Sequence, residues 1–137
     1  MYNPFNVNRQ EFSNYIYLAL TKKDYFSVVI EELPEKLSEH NEELFIYFEV
    51  GETSKERGLI FSDVLVSLFI KSSVNGVKKM QYEDKFNELL TETYNNTTKF
   101  EGYEQFLLKK SLLPRMSSVE DGYTIISQPI VIIKHNN

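Results

Sequence analysis

Tyr123-Thr124-Ile125-Ile126-Ser127-Gln128-Pro129-Ile130-Val131-Ile132-Ile133, entered through Asp121-Gly122, is the stretch on which the fold turns. It is β-branched and apolar, too short for a membrane span, and opens on a turn dipeptide, so it reads as a long strand. A strand here must pair with something earlier, and the best partner is Leu59 to Ser72. There Ile60, Val64, Val66, Leu68 and Ile70 form one face, while Leu59, Phe61, Asp63, Leu65, Ser67, Phe69 and Lys71 form the other. Fourteen residues is long for a strand, which predicts one that projects past its own sheet or reaches a neighbouring subunit. Pro129 predicts an edge or a bulge at that position of the last strand.

Working outward, Leu44, Ile46, Phe48 and Val50 alternate with Phe45, Tyr47 and Glu49, a second strand. With Leu59–Ser72 it makes a long central hairpin over 44–72, joined by a polar loop, Glu52 to Arg57, between Gly51 and Gly58. Asn8 and Glu11 resemble a capping box opening a helix over 8–21, whose buried stripe is Phe12, Tyr15, Ile16, Ala19 and Leu20. Tyr82, Phe86, Leu89, Leu90 and Thr93 mark a second helix over 80–94, ended by Asn95-Asn96-Thr97-Thr98. Tyr25–Glu31 reads as a strand, with a helix as the competing reading, and Pro34–His40 as a short helix. Phe100–Leu113 is open between helix and strand, and Arg115–Glu120 reads as a surface loop. The expected architecture is a single α+β domain over 1–137, a mixed or antiparallel sheet of four to five strands flanked by two or more helices.

The chemistry is sparse. There is no Cys, which removes thiolate nucleophiles, thiolate zinc sites and disulfides. No stretch is long and apolar enough for a membrane span and Met1–Phe5 does not look like a signal peptide, so a soluble intracellular protein is expected. His40 lies in an acidic stretch and His135 near the end of the chain, poor settings for a general base. Asp63, interrupting an apolar strand, reads as facing solvent or a subunit boundary; Asp84 and Glu88, a helical turn apart, want a third ligand. No catalytic, cofactor-binding or metal-ligating residue is assigned, and no enzyme activity is expected.

Net charge is −5, and nine acids fall between Glu31 and Arg57 against Lys36, Lys55 and Arg57. That balance opposes a phosphate backbone, so specific nucleic-acid binding is not expected. The acidic stretch is a solvated face or, in a sharper reading, a docking surface for a basic partner. Nine Tyr and ten Phe are more than one core layer needs, so they cover either a subunit interface or a sheet face beneath helices.

The element order is itself informative. A first amphipathic helix leads to a strand ending at Gly51 and a hairpin through Arg57-Gly58. A helix around Phe86-Asn87-Glu88-Leu89-Leu90 and a last strand after Asp121-Gly122-Tyr123 follow. This order, over Asn8 to Lys134, resembles the phage tail-terminator (head–tail completion) proteins. The segment Thr21–Glu43 is longer than that pattern has. The resemblance implies a non-catalytic, cofactor-free structural protein whose subunits form a ring, a hexamer in many members, that caps the tail tube and meets the head. Its implied partners are itself, tail-tube and head-completion proteins, with DNA passing through the ring. Its implied setting is the host cytoplasm during assembly and then the virion. Candidate interaction residues are Glu52, Lys55, Glu56 and Arg57 on the hairpin loop and Phe61, Asp63 and Phe69 on the long strand. The competing class is a small acidic binding protein, an inhibitor or immunity protein that blocks a basic partner such as a nuclease.

Overall fold

In the computed structural model, which describes residues 4–22, 24–33, 36–37, 41–95 and 100–135, alternation and helical period build two layers. The element order is α1 (Pro4–Thr21), β1 (Val29–Ile30), β2 (Leu44–Glu56), β3 (Leu59–Lys71), α2 (Gly76–Asn95), β4 (Phe106–Lys110), β5 (Met116–Glu120) and β6 (Tyr123–His135). The fold is α+β. Its six-stranded sheet runs β1-β2-β3-β6-β4, with β5 also paired to β6. It is mixed, because β1 is parallel to β2 while the other pairs are antiparallel.

The central hairpin forms as its alternation predicts, but its polar stretch is not a loop. β2 continues to Glu56 and the turn is Arg57-Gly58 alone, both residues at positive φ (46° and 78°), the two-residue turn that matches strand twist. The ladder shifts between Val50 and Thr53, a bulge at Gly51. A Cβ on Gly51 would lie 3.0 Å from the Asp63 carbonyl oxygen, so a side chain there would press tightly on β3. Asp121 and Gly122 make the second such turn, joining β5 to β6.

β3 does not overhang its sheet. It is paired with β6 along its whole length, from Leu59↔His135 to Lys71↔Tyr123, and with β2 on its other side. Nor is Pro129 on an edge strand. β6 is central, but β5 pairs it only up to Ser127 and β4 only from Ile130. Pro129 falls in that gap, where its missing N–H costs no ladder bond.

Both helices cover one face of the sheet. Phe12, Tyr15, Ile16, Ala19 and Leu20 of α1 and Phe86, Leu89, Leu90 and Thr93 of α2 are buried, the two stripes the spacing predicts. They meet Ile46, Phe48, Val64, Val66, Leu68, Ile130 and Ile132 from the strands. α1 starts at Pro4, so Asn8 lies inside the helix rather than at its cap. α2 starts at Gly76, earlier than its apolar stripe suggests, because the Asn75 side chain accepts from the Lys78 N–H at 2.9 Å and caps it. Tyr25–Glu31 supplies only the two-residue β1, Phe100–Leu113 supplies β4, and Arg115–Glu120 is largely the strand β5 rather than a loop. Most of the expected Pro34–His40 helix, and Asn96–Thr98, lie outside the described residues. No described helix is long and apolar enough to cross a membrane.

Candidate functional site

The strand period that buries one face beneath α1 and α2 aims the other half of the side chains away from them. Among the described residues neither helix reaches this second face. Its Tyr123 end is closed by a small cluster of its own, Leu37, Phe45, Phe69, Tyr123 and Ile125. Toward the hairpin the register lays out three rows: Phe61, Ile133 and Leu107; Asp63, Val131 and Lys109; Glu49, Leu65 and Pro129. The apolar members of these rows are half-buried apart from Pro129, which is buried, while Asp63, Lys109 and Glu49 stand exposed. The surface is therefore an apolar floor studded with charges of both signs, a composition that suits a protein contact better than a substrate cleft.

The candidate interaction residues divide accordingly. Glu52, Lys55, Glu56 and Arg57 are exposed on the hairpin tip, and Phe61 and Asp63 sit on the helix-free face beside it. Phe69 is different. It is 3% exposed, held among Phe45, Tyr123 and Tyr47, and belongs to the fold's own packing. Asp63 does not meet Asp84 or Glu88, because those two are exposed on α2, across the sheet. Among the described residues, no three His, Cys, Asp or Glu side chains gather where a metal could sit. His135 is exposed at the end of β6, and His40 lies outside the described residues.

The acidic stretch does not form one continuous face. Glu43 turns to α2, accepting from the Tyr82 hydroxyl at 3.0 Å and pairing with Lys78 at 3.5 Å. Glu31, Glu32 and Glu49 instead line a groove of about 600 Å³ between α1 and the β1–β2 edge, with Arg9, Tyr17, Phe48 and Val50. Burial, and secondarily the Glu49 carboxylate, holds the Tyr47 phenol above its ordinary value.

Sequence reasoning passed over two features. One is that groove, which forms where β1 stops after two residues and, among the described residues, no further strand follows along the β2 edge. The other is the connection between β4 and β5, where Leu112 is fully exposed, Leu113 60% exposed and Met116 56% exposed. Its base is fastened by Arg115, whose Nε donates to the Gln128 side-chain oxygen at 2.9 Å while its guanidinium lies 5.5 Å from the Phe86 ring centre. The signal for this second feature was Leu112-Leu113-Pro114 itself, a pair of leucines against a proline that stops the strand.

No family model matches the chain, and no curated protein matches it either.

Proposed function

We propose that this chain is a non-catalytic assembly protein of the tail-terminator kind, whose subunits join into a ring, a hexamer in the reading favoured here, that caps a tail tube and meets the head. The observation that carries the proposal is the one-sided sheet. Phe61, Leu65, Leu107, Val131 and Ile133 form an apolar face that the described helices leave uncovered. Such a face in a domain of this size marks an interaction surface. The exposed hairpin tip, Glu52 to Arg57, supports contact with the tube or an adjacent ring. The net charge of −5 suits a lumen through which DNA slides without being held.

The test is the native mass of the purified chain by light scattering, at low and high salt, with and without tail-tube protein. The proposal expects a ring, alone or on the tube, only mildly weakened by salt. A chain that stays monomeric under every condition overturns it. An acidic inhibitor of a basic partner then takes first place, a reading favoured by Glu31 and Glu32 around the groove. It expects tight binding to a basic protein that weakens steeply with salt.

A further inference from the structure

A ring requires two unlike surfaces on each subunit that fit one another, and the two edges of this sheet have that character; the inference rests on the ring-forming reading above. At one edge the Ile46 N–H donates to the carbonyl of Val28, the residue before β1, at 3.0 Å. The two-residue period of a strand then points the backbone groups of Phe48 and Val50 toward the same side. β1 ends at Ile30, which pairs with Tyr47, so among the described residues the β1 ladder reaches no further than Phe48 and the Val50 backbone opens onto the groove instead. An unpaired strand edge of this kind is a template for another chain. The groove rim carries two carboxylates, Glu31 and Glu32, to one cation, Arg9, a balance of −1, while the Glu49 carboxylate lies on the other face beside the Tyr47 hydroxyl. Tyr17, on its α1 wall, is 45% exposed.

The opposite edge carries the complement. β4 ends on Lys109 and Lys110, both exposed, a balance of +2. The chain then leaves the sheet through Leu112 and Leu113, the former at full exposure. Arg115 fixes the return point against Gln128 and Phe86, so this apolar knob is carried on a fastened base. Acid and an open backbone edge on one side, base and exposed leucines on the other, make a pair that differ in both charge and shape.

We propose that the Lys109–Met116 segment of one copy seats in the groove between α1 and the β2 edge of the next. Leu112 and Leu113 cover Tyr17 there, and Lys109 and Lys110 stand opposite Glu31 and Glu32. The leucines supply the apolar contact at this edge, and the charges at the rim set orientation and suppress the wrong pairing of like edges. Because the two surfaces are different and lie at opposite edges, each copy offers a free one after every contact, which generates a ring or a filament rather than a closed pair.

Two charge reversals test this: Glu31→Lys with Glu32→Lys, and Lys109→Glu with Lys110→Glu. All four positions are exposed, and unfolding curves check that the fold is kept. Each variant alone is expected to lose the oligomer by light scattering, with association weakened about tenfold or more. An equal mixture of the two is expected to regain it, since every contact in an alternating ring again joins opposite charges. Leu112→Asp is expected to lose the oligomer and not to be rescued by either variant. If both reversals assemble as the parent does, the edge pairing is overturned while the ring stands. If the parent itself never assembles, alone or on the tube, the ring reading falls and this inference with it.

Discussion

Phe45 and Phe69 face each other across the β2–β3 ladder, ring centres 4.6 Å apart and planes 15° from parallel. Tyr123 closes over them edge-on, 5.5 Å from Phe45 and 6.0 Å from Phe69. The helix-free face thus has a sealed end and an open end, and one strand contributes to both. Phe69 is 3% exposed within the sealed end; Phe61, on the same side of β3, is only half-buried.

Phe69→Ala is therefore expected to cost about 3–5 kcal/mol in urea unfolding, the cost of emptying a buried aromatic site. Phe61→Ala should cost the isolated subunit about 1 kcal/mol, in keeping with partial burial. Its larger effect belongs to assembly, so a loss of native mass with little change in the unfolding midpoint is the expected signature. Equal destabilisation by the two substitutions contradicts this division of the face.

Arg115 is the second point at which one side chain decides a surface. Gln128 is 4% exposed, and Arg115 Nε is the donor to its side-chain oxygen. Arg115→Ala strands that buried acceptor, and is expected to cost about 1–3 kcal/mol. The ion pair with Glu83, at 3.7 Å between partly exposed side chains, carries little of this. Glu83→Ala should change stability by less than about 1 kcal/mol. Thermal unfolding of the two variants side by side checks the contrast; a loss of similar size from Glu83→Ala assigns the anchor to charge instead.

Tyrosines make stability depend on alkaline pH, and Tyr25 is raised by burial and by Glu92 as three others are by burial. Burial raises Tyr123, with a smaller contribution from the Glu42 carboxylate. Burial raises Tyr47, followed by Glu49, and burial raises Tyr94 against an opposing effect of Arg115. A raised native value means the folded chain holds the phenol proton more tightly than the unfolded chain does. The associated stability is fully present below the unfolded value near pH 10 and is lost as pH rises through the native values. The folded protein should show tyrosinate absorbance at higher pH than the urea-unfolded chain, and Tyr123→Phe should reduce the alkaline loss of stability. Coincident titrations of folded and unfolded chains refute it.

The parts that were legible in the sequence are those set by near neighbours along the chain. Alternation at Leu44–Val50 and Leu59–Lys71 specifies which side chains share a face, and the structure keeps both sets. The three- and four-residue spacing of Phe12 to Leu20 specifies the buried side of α1. Asp121-Gly122 supplies the positive-φ pair its turn needs, as Arg57-Gly58 does at the hairpin tip. Hidden from that reading was Met116–Glu120, whose five residues are all exposed; it has little apolar signal and is a strand because β6 offers it a ladder. β1 is shorter still, two residues held by a parallel pairing with β2.

By itself, then, the sequence determined the α+β class, the central hairpin and the inner faces of both helices. Periodicity and turn chemistry are properties of a few consecutive residues, and they act wherever the chain happens to lie. The tertiary structure alone decided what those elements leave uncovered. That β1 stops at Ile30, that β5 and β4 part around Pro129, and that both described helices choose the same side of the sheet depend on where neighbouring strands begin and end. The open face, the acidic groove and the exposed Leu112 all follow from those endings. An edge or an uncovered face is defined by the absence of a neighbour in space, and no local pattern in a chain encodes that.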